Sequence, residues 1–211
     1  MKLQFGFGHR QLLHRAAGSA IVALPAAVAS VEGDHRLTRR VVPSTVHESP
    51  APVQFIAVAQ DDPRAAPLLD ALTIEYISRY GAGLPAEYRD MRAYPAEEFA
   101  PPGGALILAM LDGKTVAGGA FRRYDETTAE LKRIWTASEH RQRGYGRLVV
   151  AELERLARQR GCRRVYLTTG PSQPEAVALY LAAGYRPLYD RSLPSLDVGA
   201  HPFEKDLVDP A

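Results

Sequence analysis

The stretch AELKRIWTASEHRQRGYG, residues 129–146, carries the fold in its pattern. Its first half alternates through Ala129-Glu130-Leu131-Lys132 and runs into Ile134-Trp135-Thr136, which reads as a strand. Its second half is basic and passes through Gly144 and Gly146 into a helix. There Tyr145, Val149, Leu153, Leu156 and Ala157 recur on one face, and Gly161 is the stop. A glycine-bearing turn that opens a helix presents unpaired N–H groups and the positive end of the helix dipole at one point. Diphosphate oxygens suit such a point. Gly144 and Gly146 let a ligand approach the backbone closely, and Arg141, Arg143 and Arg147 add charge-assisted contacts. Neither GxGxxG nor GxxxxGK(S/T) occurs at this turn, so it is not a Rossmann or P-loop phosphate site. The pattern that fits is (Q/R)xxGx(G/A), with Arg141, Gly144 and Gly146 at the fixed positions and Gln142, Arg143 and Tyr145 between them.

Outward from this stretch the chain reads as a mixed α/β domain. Residues 53–59 suit a first strand. Asp61-Asp62-Pro63 then offers an N-cap and first-turn proline for a helix ending at Gly81. Residues 83–102, with several prolines, predict a loop holding one short helix. Residues 105–111 and 115–122 flank Asp112-Gly113 as a hairpin, and 127–136 continue the meander. Beyond the central helix come a strand at 164–168, a helix at 175–183 closed by Gly184, a strand at 185–189 and a terminal strand at 202–207. Residues 1–52 have a different character. Lys2, Arg10 and Arg15 precede a small apolar run ending in Ala27-Val28-Ala29-Ser30, the layout of a secretory signal within residues 1–30. The competing readings are a poorly ordered extension and translated sequence ahead of the true start. Residues 32–52 are a linker by composition, so the domain is expected over 53–208.

Two segments, AELKRIWTASEHRQRGYG and the later QPEAVALYLAAGYRP, resemble in order the central strand with cofactor turn and the LYxxxGY-type helix of the GNAT superfamily of acyl-CoA N-acyltransferases. The resemblance covers about residues 53–207. It implies a central, mostly antiparallel sheet of six to seven strands with a splayed central pair, flanked by about four helices. It also implies acetyl-CoA as co-substrate, with transfer to a primary amine by direct attack in a ternary complex. Backbone groups of Ile134, Trp135 and Thr136 then bind the pantetheine arm. Residues Arg141, Gln142, Arg143, Gly144, Tyr145, Gly146 and Arg147 hold the diphosphate. Gln173 stands where many relatives carry asparagine and still reaches the arm. Tyr180 matches the family's usual general acid; its alternative is to fill core space. Glu130 lies fourteen residues before Gly144, the offset of the catalytic base in the histone-acetylating members. Its alternative is a cross-strand charge pair. Trp135's indole is expected only to pack.

The remaining features bound the function. A net charge of +2 gives no argument for nucleic acid. The sole cysteine, Cys162, forms no internal disulfide, lies away from the turn and is expected to pack. Six scattered histidines show no metal-ligand spacing, so no metal is expected. The alanine-rich run is too short for a membrane span. Use of acetyl-CoA implies a cytoplasmic location, with export through residues 1–30 as the minor alternative, and is compatible with a homodimer. Transfer of another acyl group and a non-catalytic acyl-CoA-binding module are the rival functions. The acceptor, a small-molecule or protein amine, is not specified. Glu75, Asp90, Glu97 and Glu98 either attract a cationic amine or are simply solvated.

Overall fold

The computed structural model describes residues 51–81, 84 and 88–207. The expectations for residues 1–50, the signal-like run included, lie outside them. Seven strands form one sheet: β1 (Gln54–Val58), β2 (Ala105–Leu111), β3 (Lys114–Arg123), β4 (Thr128–Thr136), β5 (Arg164–Thr169), β6 (Arg186–Pro187) and β7 (His201–Asp206). Their order is β1-β2-β3-β4-β5-β7-β6, and every neighbouring pair is antiparallel except β4 with β5. The helices are α1 (Ala66–Tyr80), α2 (Tyr145–Gln159), α3 (Pro174–Ala182) and the single turn α4 (Ser195–Val198). This is the mixed α/β architecture that the sequence implies.

Local chemistry explains most boundaries. Asp62 accepts from the Arg64 N–H, but the turn it caps is a 3-10 turn, Pro63–Ala65, that leads into α1. Gly81 ends α1 with φ at 54°, in the left-handed region where a side chain is disfavoured. The expected strand at 185–189 shrinks to Arg186–Pro187: the Leu188 N–H still donates to the Pro202 carbonyl at 2.9 Å, but Pro202 has no N–H to return the bond. The chain between β6 and β7 contains α4, for which the sequence offered no apolar period.

Two apolar layers sandwich the sheet. One holds α2 and α3: Val149, Val150 and Leu153 pack with Phe121, Leu131, Leu167, Tyr180 and Phe203. Cys162 is buried in this layer, as expected. The other holds α1: Leu68, Leu69 and Leu72 pack with Leu106, Leu108, Phe99 and Trp135.

Two irregularities in β4 shape the middle of the sheet. First, pairing with β5 covers only Thr128–Glu130 against Arg164–Tyr166, although β4 runs on to Thr136 and β5 to Thr169. Beyond Glu130 the parallel pair diverges, leaving a cleft with backbone edges on both sides. Second, the register with β3 slips between Gly118↔Trp135 and Ala120↔Lys132, and Arg133 there has φ at 60°. One extra residue is accommodated on β4, a β-bulge, which turns Ile134 toward α2 and Trp135 toward α1. Facing the bulge, Gly118 and Gly119 leave no room for a side chain. A Cβ at Gly118 would stand 2.7 Å from the Ile107 carbonyl oxygen, and one at Gly119 would stand 2.6 Å from Ile134 Cδ1.

Candidate active site

The cleft ends where β4 gives way to a 3-10 turn, Ser138–His140, and then to α2. Gln142 (φ 60°) and Gly144 (φ 86°) both take left-handed backbone conformations in the intervening turn. No side chain caps α2, so its first N–H groups are not claimed by a capping residue. Arg141, Gln142, Arg143, Gly144 and Arg147 are exposed around it, while Tyr145 is buried beneath. Among the described residues Arg143 and Arg147 form no ion pair. Arg141 is engaged: its guanidinium reaches the Glu75 carboxylate at 2.9 Å and the Thr136 carbonyl at 3.2 Å. The turn therefore has the donors, the open backbone and the two uncommitted cations that a diphosphate requires.

The other expected residues converge on the same place, with one exception. A Cβ added to Gly146 would stand 3.4 Å from Leu179 and 3.7 Å from Thr136 Oγ1, so the end of β4, the start of α2 and the middle of α3 meet there. Tyr180 follows Leu179. It is buried against Tyr185 and Phe203, and burial, with Tyr76 nearby, pushes its phenol well above the ordinary tyrosine range. Gln173 precedes α3; its Oε1 accepts from Thr169 Oγ1 and the Gly170 N–H, both at 2.9 Å. Its side chain also hydrogen-bonds Tyr76 of α1, whose phenol burial pushes up to about 12. Trp135 is buried in the α1 layer. The exception is Glu130, which sits at the closed end of the cleft. It is 4% exposed, its Oε2 takes Arg122 at 2.6 Å and its Oε1 takes Lys132 at 2.8 Å. Arg122 also reaches Glu98 and the Tyr94 hydroxyl. The cross-strand pair Arg122↔Glu130 is thus realised.

Several contributors were not singled out in the sequence. Arg133, in the bulge, donates to Gln60 Oε1 at 2.6 Å and to the Met91 carbonyl, and lies 4.2 Å over the Phe99 ring. Burial lowers its guanidinium to about 10, and no carboxylate among the described residues pairs with it. The legible sign was the doubled polar pair Lys132-Arg133 between Leu131 and Ile134, which breaks the period of two. A charge ladder, Arg141–Glu75–Arg79–Glu175, links the turn before α2 to α1 and then to α3. Of the four acidic residues considered for acceptor attraction, Glu75 and Glu98 are ion-paired. Asp90 caps the Arg92 N–H, and Glu97 is exposed. A groove of about 630 Å³ beyond Gln60 is lined by Asp61, Leu69, Glu97 and Phe99, among others. No cluster of acidic, histidine or cysteine side chains among the described residues is arranged to hold a metal.

A splayed parallel pair, a bulged strand and an uncapped helix at the cleft mouth agree with comparison to known proteins. The model of the acetyltransferase (GNAT) family matches residues 67–185, more than half of the chain. The chain belongs to this GNAT family. Among solved structures, a Klebsiella pneumoniae protein described as an acyl-CoA N-acyltransferase shares 25% identity with a TM-score of 0.57. That match covers 74% of this chain and 98% of the other. A GNAT-family acetyltransferase from Staphylococcus aureus, 16% identical, has a TM-score of 0.57 over 74% of this chain and 100% of its own. A GNAT acetyltransferase from Elizabethkingia anophelis, solved with acetyl-CoA bound, is 16% identical, with a TM-score of 0.51 over 73% of this chain and 97% of the other. The latter two likenesses bear on the fold alone.

Proposed function

We propose that this GNAT protein is an acetyl-CoA-dependent N-acetyltransferase, with residues 53–208 as its catalytic domain. The observation that carries the reading is the uncapped α2 N-terminus at Gly144, set at the mouth of the β4–β5 cleft with α3 packed on Gly146. When bound, acetyl-CoA supplies a thioester: a C–N bond forms to the acceptor amine, the C–S bond breaks, the amine loses a proton and the departing sulfur gains one. Gly144, Tyr145 and Gly146 hold the diphosphate through backbone N–H groups, and Arg143 and Arg147 neutralise it. The unpaired edge of β4 at Ile134, Trp135 and Thr136 lines up the pantetheine arm, and an N–H on that edge polarises the thioester oxygen.

Tyr180 supplies the proton to the leaving sulfur. Its burial keeps the phenol protonated over the whole physiological range, the form a general acid needs. Glu130 takes the amine proton through a water. Each of its oxygens already accepts from one cation, Arg122 on Oε2 and Lys132 on Oε1, and the water uses a remaining lone pair. The acceptor enters over residues 68–102 together with the segment 190–201.

A free-thiol release assay with acetyl-CoA and a panel of amines tests this. Turnover is expected with at least one amine, reduced in Tyr180→Phe and Glu130→Gln. Tight acetyl-CoA binding with no turnover on any amine would instead establish a non-catalytic binding module. Faster turnover with a longer acyl-CoA would reassign the acyl group.

A further inference from the structure

Arg133 is a largely buried cation that pairs with no carboxylate among the described residues. Arg133 is the extra residue of the β4 bulge and holds a left-handed backbone conformation that favours glycine. A strand could bulge there with glycine at no side-chain cost, yet this position carries a long, largely buried arginine. Its guanidinium is engaged by the surrounding structure. One nitrogen donates to Gln60 Oε1, another to the Met91 carbonyl, and the plane rests on Phe99 with Tyr94 beyond, at 5.9 Å. Gln60 in turn donates to the Arg92 and Tyr94 carbonyls, at 3.1 and 3.0 Å. Gln60 lies just past β1, and residues 91–94 belong to the segment between α1 and β2. Arg133, the residue immediately before Ile134, therefore ties two separate pieces of chain to the bulge.

We propose that Arg133 is a positioning residue: through Gln60 and Met91 it fixes the bulge, and with it the backbone of Ile134, Trp135 and Thr136, against the acceptor-side segment 91–99. This rests on the reading that Ile134–Thr136 present the thioester. The tether sets two things at once, the angle of the β4 edge toward the arm and the distance of the acceptor segment from that edge. Lysine cannot replace it, because one ammonium does not reproduce a planar fork with separated donors.

Three variants test the tether. Arg133→Gly suits the left-handed backbone but removes the tether, Gln60→Ala cuts it from the far end, and Arg133→Lys keeps the charge. Trp135 is the only tryptophan in the chain and sits two residues along, so its fluorescence reports on the bulge without any activity. All three variants are expected to raise acrylamide quenching of Trp135. They should lower kcat on the order of a hundredfold, as a displacement of about 1 Å does, with a smaller rise in KM for acetyl-CoA. Arg133→Gly combined with Gln60→Ala should lose no more than either alone. Wild-type quenching and kcat in Arg133→Gly overturn the proposal, as do fully multiplicative losses in the double variant. A wild-type protein that binds no acetyl-CoA sinks the functional reading instead, and the quenching comparison still decides the tether.

Discussion

At the residue scale, Tyr180 and Gly118 show how differently a buried position can be constrained. Tyr180 has a core position and a chemical assignment together: its ring packs on Tyr185 and Phe203, while its hydroxyl is kept protonated by burial. Tyr180→Phe keeps the packing and removes the proton. The expected result is a kcat lower by about a hundredfold or more, the usual contribution of a general acid, with acetyl-CoA Kd unchanged by calorimetry. Gly118 is held by space alone, between the Ile107 carbonyl and Leu68 Cδ1. Gly118→Ala overpacks this point and should cost about 1–3 kcal/mol in urea unfolding. The sequence displayed the residues of the turn, because glycine and arginine at fixed spacing state their chemistry directly. It marked the bulge only through the doubled polar pair Lys132-Arg133; the positive φ of Arg133 left no sign of its own, because the residue there is not glycine. Nor did it show that Glu130 would pair with Arg122, a residue of the neighbouring strand whose register no local pattern specifies.

At the element scale, the hairpin β2–β3 and the helix α2 were legible from their apolar residues and glycine boundaries, and the strand β4 from its alternation up to the bulge. The β5–β7–β6 half was less so. The chain shows six residues at 202–207 that suit a strand, but not that the strand, which runs His201–Asp206, inserts between β5 and β6. The short β6 and the turn of α4 lack any period to read. The ladder Arg141–Glu75–Arg79–Glu175 also joins elements distant in sequence. In it Glu75 occupies an arginine that the proposed cofactor site would use. Glu75→Gln releases Arg141, and its partly exposed pairs contribute at most about 1 kcal/mol to stability. The melting temperature should therefore barely move while acetyl-CoA Kd falls severalfold, and the gain should fade in high salt. An unchanged Kd at low salt would show that Arg141 stays with other partners.

At the scale of the whole molecule, the buried Tyr180 and Tyr185 and the partly buried Tyr76 set the alkaline limit. Burial raises Tyr76, Tyr180 and Tyr185, Tyr76 to about 12, whereas an unfolded tyrosine titrates near pH 10. Below about pH 10 both states hold these protons, and stability is level with respect to them. Above it the unfolded chain ionises first, so stability declines as pH rises toward the folded values. Melting curves from pH 8 to 11 should be flat and then fall, and Tyr76→Phe should soften the fall. A chain beginning at Pro52 should melt and bind acetyl-CoA as the full-length protein does; loss of either would give residues 1–51 a part in the fold. The strand order carries a last consequence, for synthesis. Past Tyr166, β5 has left β4 behind and pairs only with β7, which leaves the ribosome after every other strand. One wall of the cleft therefore stays a lone strand until residues 201–206 emerge. While it is being made, a nascent chain can fold its hairpins and α2, but that wall of the cleft waits for residues 201–206.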